Sequence, residues 1–238
     1  MIIEVCVDTP EGLRAAIAGG ADRIELCAAL ALGGLTPSAG FMRMAAGCGL
    51  PVHAMVRPRT GGFVCDAEDL ALMVHDIAVA RDSGLAGVVF GCSLPDGRLD
   101  ATGLAVWVGA AAGMDRTLHR AFDLVPALAE ALEQAVALGF QRSRTSGGAA
   151  TAVAGLARLV ALQQQAAGRT LILPGGGITA ESVAGLAPLQ PRELHASCAV
   201  SRAGAAAAVA FGFGPGVERV TAAASVRALR SAAQAALA

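Results

Sequence analysis

Residues 2–26, IIEVCVDTPEGLRAAIAGGADRIEL, decide the fold of this chain. Five of the first six residues of this stretch are apolar and four of them are β-branched, which is typical of a buried strand. Thr9 then offers a helix N-cap and Pro10 suits the first helical turn, so a helix is predicted over residues 11–18. A second strand follows over residues 21–26. Strand, helix and strand in this order form the unit from which parallel sheets are built.

The same alternation continues to the end of the chain. Further strands are predicted over residues 51–57, 85–91, 116–121, 140–145, 170–173 and 193–197. Further helices are predicted near residues 38–47, 67–83, 101–112, 126–138, 151–166, 180–186 and 218–237, with residues 212–216 as a loop before the last one. Eight strands, each followed by a helix, favour an α/β fold closed as a single (β/α)8 TIM barrel. A doubly wound open sheet is the alternative, but its G-x-G-x-x-G fingerprint is absent after the first strand.

No linker or change of composition divides the chain, so we expect one domain over residues 1–238. Apolar residues make up 55% of the sequence and charged residues 16%, which excludes an intrinsically disordered protein. The 19 acidic and 18 basic residues form no block of like charge, so no nucleic-acid partner is expected. All 18 basic residues are Arg, and a chain without Lys cannot form a Schiff base through its own side chain.

The sequence also predicts where the protein works. It has no stretch of 18 apolar residues and no basic, apolar leader at its start, so neither a membrane span nor a signal peptide is expected. Its six cysteines are scattered singly, without a C-x-x-C pair. Reduced thiols are the default for such a chain, and a cytoplasmic location is therefore expected.

Charged and sulfur-bearing residues recur at every second position of several predicted strands, where a structural strand would carry Val or Ile. Residues spaced in this way share one side of a strand. They are Glu4, Cys6 and Asp8 in the first strand, Arg23, Glu25 and Cys27 in the second, and His53, Met55 and Arg57 in the third. The pattern predicts a polar mouth at the carboxyl ends of the strands, where the active sites of barrels lie.

Acid–base chemistry and anion binding both fit such a mouth. The candidate general acids and bases are three carboxylates and one imidazole, those of Glu4, Glu25, Asp123 and His119. The candidate anion ligands are three guanidinium groups and one loop, namely Arg23, Arg57 and Arg120 with Gly175, Gly176 and Gly177. Core ion pairs are the alternative for the charged residues, and a tight turn is the alternative for the glycines.

Cys6 and Cys27 have the same parity on neighbouring strands, so their sulfur atoms are expected to lie close together. With Met55 nearby, two soft thiolates suit Cu(I) better than zinc, which takes four defined ligands. The alternative is that both cysteines pack as small apolar side chains.

Several motifs resemble the CutC family. They are Glu4-Val5-Cys6-Val7-Asp8, Gly20-Ala21-Asp22-Arg23-Ile24-Glu25-Leu26-Cys27, Gly33-Gly34-Leu35-Thr36-Pro37-Ser38, Val56-Arg57-Pro58-Arg59, Gly61-Gly62-Phe63, His119-Arg120-Ala121-Phe122-Asp123, Thr145-Ser146-Gly147 and Pro174-Gly175-Gly176-Gly177-Ile178. The resemblance runs from Met1 to about Arg202. It departs at Val64-Cys65-Asp66, where the family has an aromatic residue, at Leu118, where it has Phe, and at Arg142-Ser143-Arg144, where aliphatic residues are usual.

The resemblance implies a cytoplasmic TIM barrel that binds Cu(I) in copper homeostasis and forms dimers or larger homo-oligomers. It also implies that Cys6 and Cys27 are the copper ligands. The residues by themselves favour a second hypothesis, an enzyme that acts on a small anionic and phosphorylated substrate. A purely structural or adaptor role is the third hypothesis, and it leaves the charged strand ends without explanation.

Overall fold

The computed structural model describes residues 1–237, so Ala238, the last residue of the predicted domain, lies outside the described part. Within residues 1–237, eight parallel strands form one sheet: β1 (Ile2–Val7), β2 (Arg23–Leu26), β3 (Val52–Met55), β4 (Gly87–Phe90), β5 (Asp115–Leu118), β6 (Arg142–Thr145), β7 (Leu171–Pro174) and β8 (Glu193–Ala196). The first six α-helices are α1 (Pro10–Gly19), α2 (Ala39–Ala46), α3 (Ala67–Asp82), α4 (Ala101–Ala110), α5 (Leu128–Ala137) and α6 (Leu156–Ala166). Short 3-10 helices cover Leu30–Leu32, Arg120–Leu124 and Val183–Leu189.

The strands pair in chain order around a ring. Each strand from β1 to β6 pairs with the next one, and β8 pairs with the free side of β1. A parallel bridge between Gly175 and His195 joins the end of β7 to β8 and closes the ring. The predicted (β/α)8 barrel is therefore confirmed, and the doubly wound open sheet is excluded.

The first helix begins and ends where its sequence predicts. The Thr9 hydroxyl oxygen accepts a hydrogen bond from the Gly12 N–H at 3.0 Å, and Pro10 occupies the first helical position, where no donor is lost. Gly20, at φ 89°, ends the helix in the left-handed conformation that glycine adopts without strain. These caps return the chain to the sheet at Arg23.

The apolar core lies between the sheet and the surrounding helices. Outward-facing strand residues such as Val5, Ile24 and Val88 are fully buried there. The residues that alternate with them face the interior of the barrel, and many are charged, as the parity of the sequence predicts. The barrel interior, rather than the core, therefore contains the candidate site.

The largest difference from the prediction follows β8. Strands β9 (Ala199–Ala203) and β10 (Val217–Thr221) form an antiparallel pair, with the short helix α7 (Ala206–Ala210) between them. The predicted helix over residues 218–237 is therefore wrong at its start, because β10 occupies residues 217–221. The last helix is α8 (Ala223–Ala236), which packs against α1 and the 3-10 helix Val183–Leu189 and completes the helical layer.

Two other predicted helices also differ. The helix predicted from residue 151 begins at Leu156, because turns occupy residues 151–155. The helix predicted over residues 180–186 is replaced by the 3-10 helix Val183–Leu189, which contains Pro188. None of the helices in residues 1–237 has both the length and the apolar content needed to cross a membrane.

Candidate functional site

The amino end of the barrel interior is filled by ion pairs. Arg23, Asp115, Arg142 and Glu193 are the first residues of β2, β5, β6 and β8, and we call them the amino-end ion cluster. Glu193 Oε2 accepts hydrogen bonds from Arg23 Nη2 at 2.5 Å and from Arg142 Nε at 2.7 Å. Arg142 also donates to Asp115 Oδ2 at 3.0 Å. Each of these side chains is bonded to another, so the cluster stabilises the barrel without leaving a ligand position.

Glu4 connects this cluster to the middle of the barrel. Its Oε2 accepts from Arg23 Nε at 2.5 Å, and its Oε1 accepts from His195 Nδ1 at 2.7 Å. Burial acts to raise the pKa of Glu4, but the His195 hydrogen bond and the Arg23 charge outweigh it and hold that pKa well below its ordinary value. Both oxygens of a permanent carboxylate are thus occupied. Neither acid–base catalysis by Glu4 nor anion binding by Arg23 is favoured by this placement.

Arg144 lies in the next layer towards the mouth. Its Nη1 donates to Glu25 Oε1 and also contacts His195 Nε2 at 3.2 Å. Because a guanidinium can only donate, Nε2 of His195 accepts, and the ring proton lies on Nδ1, where it bonds Glu4. A continuous chain of hydrogen bonds therefore runs from Glu4 through His195 and Arg144 to Glu25.

Three sulfur-bearing side chains lie at the carboxyl end of the same interior, and we call Cys6, Cys27 and Met55 the sulfur cluster. Cys6 pairs with Glu25 in the β1–β2 register, and Cys27 Sγ lies 3.7 Å from Glu25 Oε2. Cys27 packs with Met55 in a small buried apolar group. The inward parity predicted for both cysteines is present, although Cys27 lies one step beyond the end of β2.

Both thiols stay protonated at neutral pH. Burial raises the pKa of Cys6 and of Cys27, and the Glu25 carboxylate raises both further, while Arg144 acts in the opposite direction. Cys27 is fully buried and Cys6 is 6% exposed. A metal that binds these sulfur atoms must therefore displace their protons.

Arg57, Phe63 and His119 cover the mouth from the side of β3 to β5. Arg57 donates to the carbonyl oxygens of Leu32 at 3.0 Å and Gly61 at 2.7 Å. The Phe63 ring lies 4.7 Å from the His119 ring and 5.0 Å from the Arg57 guanidinium carbon. Burial lowers the pKa of His119 to about 3, and the charges of Arg144 and Arg57 add to this shift. His119 is therefore a neutral imidazole whose Nε2 has no hydrogen-bond partner among residues 1–237.

Asp123 is held by the loop that follows β6. Its carboxylate accepts from the N–H groups of Ser146 at 3.0 Å and Gly148 at 2.9 Å, and from the Thr145 hydroxyl at 2.5 Å. Arg120 Nε donates to the same carboxylate at 2.6 Å. Asp123 thus occupies the position that an external anion would take in such a cradle. A loop-positioning role fits this geometry better than the predicted acid–base role.

The glycine loop after β7 makes a tight turn beside Arg120. Gly176 and Gly177 have φ values of 105° and 68°, which favour glycine. A Cβ atom at Gly176 would lie 3.1 Å from Arg120 Nη1, so the close approach of this guanidinium also requires glycine. These two requirements account for Gly176 and Gly177, and phosphate binding by the loop remains a prediction.

A cleft of about 670 Å³ opens between the mouth and the β9–β10 hairpin. Its lining includes Cys6, Asp8, Ser197 and Arg219. Because Cys6 forms part of its wall, the cleft extends to the sulfur cluster.

The predicted site residues therefore occupy four separate places. Cys6, Cys27 and Glu25 come together, and Glu4 and Arg23 belong to the ion pairs below them. Arg57 and His119 cover the mouth beside Phe63. Asp123, Arg120 and the glycine loop form a separate group at the rim. His195 and Arg144 also belong to the region around Glu25 but are not among the site residues that the sequence predicts. In the sequence, His195 is indicated by its inward parity in the eighth strand, and Arg144 by the unusual Arg residues of the sixth strand.

Comparison with known proteins agrees with this architecture. The model of the CutC family matches residues 1–200. A family protein CutC from Rhizobium meliloti is 54% identical over 231 residues, covering 96% of this chain and 94% of the relative. A family protein CutC from Vibrio cholerae is 45% identical over 204 residues, covering 84% of this chain and 80% of the relative.

Solved structures give the same result. A copper homeostasis protein CutC from Streptococcus agalactiae superposes with a TM-score of 0.79 at 29% identity, covering 83% of this chain and 98% of that one. A 3-hexulose-6-phosphate synthase from Salmonella typhimurium has a TM-score of 0.66 at 14% identity over 99% of each chain, which shows the barrel fold alone. The family match, the relatives and the barrel geometry agree, and the chain belongs to the CutC family.

Proposed function

We propose that this protein binds Cu(I) through the thiolates of Cys6 and Cys27 and serves copper homeostasis in the cytoplasm. The observation that supports this proposal is the convergence of two buried thiols on one carboxylate, with a thioether beside them. Soft sulfur ligands select Cu(I), and reducing surroundings keep both the ion and the thiols in the required state.

The sulfur cluster has the chemistry that a Cu(I) cargo needs. Binding replaces one proton on each thiol, and Met55 supplies a third soft atom next to Cys27. Because burial and Glu25 raise both thiol pKa values, the apparent affinity should rise with pH, by up to about 100-fold per unit when two protons leave. The cleft beside the β9–β10 hairpin gives a copper donor access to Cys6.

The test is an anaerobic titration with Cu(I) against a competing chelator. The native protein should bind one Cu(I) tightly, and the variant Cys6→Ala/Cys27→Ala should lose this binding. A matched control, Cys48→Ala/Cys65→Ala, removes two thiols outside the sulfur cluster and should retain it. Equal binding by the native protein and the Cys6/Cys27 variant would contradict the proposal.

One observation favours the second candidate function, an enzyme acting on a small anionic substrate. Arg57 has no carboxylate partner among the described residues. Nδ1 of the neutral His119 beside it accepts from the Ala121 N–H at 3.1 Å, so Nε2 carries the ring proton and is free to donate to an anionic substrate. Thermal unfolding with and without sugar phosphates tests this candidate. A rise in melting temperature that Arg57→Gln removes would support it, and no rise would contradict it.

We also propose that the protein forms a homo-oligomer. Phe211, Phe213 and Val217, in and beside the β9–β10 connection, are exposed, with Phe213 at 84%. Apolar surface of this kind is typical of subunit contacts. Light scattering should show a dimer or larger species that Phe211→Ser/Phe213→Ser shifts towards the monomer, and a monomeric native protein would contradict this proposal.

A further inference from the structure

We propose that Arg144 determines the metal specificity of this barrel, because it occupies the His195 nitrogen and one of the Glu25 oxygens that a divalent ion would need and leaves both thiols to Cu(I). This inference rests on the proposed Cu(I) site at Cys6 and Cys27. It assigns to Arg144 a role outside that pair of thiols.

The ligand set beside Cys6 is larger than two sulfur atoms. One donor atom each from Cys6, Glu25 and His195 lie within 4.8 Å of one another. A thiolate, a carboxylate and an imidazole are ligands that Zn²⁺ takes in proteins, with a fourth position for Cys27 or water. The three side chains belong to β1, β2 and β8, so adjacent strands bring them together.

Arg144 fills the position that such an ion would occupy. Its Nη1 bonds a Glu25 oxygen and the Nε2 atom of His195 at the same time. The Nε2 lone pair is the only one that His195 has left, because Nδ1–H donates to Glu4 at 2.7 Å. One guanidinium thus uses the imidazole and one oxygen of the carboxylate, while Glu25 Oε2 lies 3.7 Å from Cys27 Sγ and from His195 Nε2.

Displacing Arg144 is unfavourable. It is 6% exposed and Glu25 is 1% exposed, so separating them would leave two buried charges without their partner. The guanidinium also cannot leave by losing its proton, because arginine stays charged in proteins.

Arg144 does not block the two sulfur atoms. Arg144 bonds Glu25 and His195 and makes no hydrogen bond to Cys6 or Cys27 among the described residues, so both sulfur atoms remain open to an ion. Two thiolates are sufficient ligands for Cu(I), whereas zinc requires four defined ligands. With Arg144 in place, the site therefore selects a soft monovalent ion by the number of free ligands.

The experiment compares Co²⁺, a spectroscopic substitute for Zn²⁺, with Ag⁺, an air-stable substitute for Cu(I). The variants are Arg144→Met, which removes the donors at similar volume, and Arg144→Lys, which retains a cation. Native protein and Arg144→Lys should bind Ag⁺ and give no cobalt–thiolate absorption. Arg144→Met should bind Co²⁺ about 10- to 100-fold more tightly, the range typical of changes that release a metal ligand.

Adding His195→Gln to Arg144→Met should remove the gained absorption, which identifies the imidazole as a ligand. A folded Arg144→Met variant without this gain would overturn the inference. If that variant does not fold, the measurement is made on the native protein. Tight Co²⁺ binding that His195→Gln abolishes would overturn the inference. Tight Ag⁺ binding without Co²⁺ binding would support it.

The proposed function and this inference fail in different ways. Cu(I) binding that does not depend on Cys6 and Cys27 contradicts the proposed function, and this binding is measured without Co²⁺. The gain of Co²⁺ binding in Arg144→Met is measured without Cu(I), and its absence contradicts only the role of Arg144.

Discussion

At the amino end of the barrel interior the charged side chains bond one another at 2.5 to 3.0 Å, whereas at the carboxyl end the thiols make only long contacts. Cys27 Sγ lies 3.7 Å from Glu25, and Cys6 Sγ lies 3.9 Å from the Ala196 carbonyl oxygen. Arg23 and Glu193 at the amino end are as buried as the two thiols at the carboxyl end, so burial does not distinguish them. The difference is that the charged side chains at the amino end already have strong hydrogen-bond partners, whereas the thiols at the carboxyl end have only weak contacts and can bind a ligand.

This comparison teaches how to separate structure from function among buried polar residues. Charges that bond each other stabilise the barrel, and removing one should affect stability more than binding. Sulfur atoms with weak contacts contribute little to folding beyond their packing, and removing them should affect binding more than stability. The following predictions test this division, starting with the largest effect.

Glu193→Ala should destabilise the protein by about 3–5 kcal/mol, because it leaves the buried Arg23 and the half-buried Arg142 without the carboxylate they share. Urea unfolding followed by circular dichroism measures this loss. The matched control is Glu133→Ala, which breaks the exposed pair with Arg169 and should cost far less. Equal losses for the two variants would show that the amino-end ion cluster is not a stabilising feature.

Acid should destabilise the folded protein, starting near pH 6.5. Burial lowers the pKa of His53 to about 4 and that of His119 to about 3, so below pH 6.5 the unfolded chain binds protons that the folded one does not. Stability therefore falls as the pH drops from 6.5 to 4, by an amount on the order of 3 kcal/mol for His53 alone. Unfolding curves at several pH values measure the slope.

The variant His53→Gln should reduce that acid slope, and His75→Gln, at an exposed position on α3, should leave it unchanged. Glu4 adds a further loss at lower pH, because its depressed pKa stabilises the folded state only while the carboxylate is ionised. A stability that stays constant from pH 7 to pH 5 would contradict this explanation.

Asp123→Asn should cost about 2 kcal/mol, because it weakens the charged hydrogen bonds that hold the loop after β6. Cu(I) affinity should not change, since Asp123 lies outside the sulfur cluster. Denaturation and Cu(I) titration of the same preparation measure both properties. A variant that is stable but unable to bind Cu(I) would contradict the loop-positioning role and indicate that Asp123 takes part in ligand binding.

Met55→Leu should change stability by less than about 1.5 kcal/mol, because the two side chains are similar in volume. If the thioether is a third ligand, Cu(I) affinity should fall by about tenfold, as expected for a weak sulfur ligand. Chelator competition measures the affinity. An unchanged affinity would restrict the site to the two thiols.

Much of the fold could be predicted because periodicity and caps are local properties. The alternation of strands and helices, the cap at Thr9 and the inward parity of Glu4, Cys6 and Glu25 all follow from residues close in sequence. The β9–β10 hairpin could not be predicted in this way. Its strands, AVSRA and VERVT, are 13 residues apart and have no clear alternation, and the predicted loop over residues 212–216 does not indicate which segments pair across it.

The site was predicted less well, because parity gives the side of a strand and not the height in the barrel. Arg23 and Cys27 share a side of β2, yet one bonds the amino-end carboxylates and the other lies at the mouth. The position of a side chain along the barrel axis depends on the register between neighbouring strands, and this register is fixed only in the closed barrel. The partners of Arg144 are also distant in sequence, since Glu25 is 119 residues away.

The pairing of β1 with β8 has a consequence for the order of events during protein synthesis. Cys6 and Cys27 leave the ribosome early, but the bond between Glu4 and His195 spans 191 residues and forms only after β8 has emerged. Helix α8, which covers α1, emerges later still. The nascent chain thus displays both thiols long before it has their enclosing barrel, so protection of these cysteines against oxidation begins only when translation is almost complete.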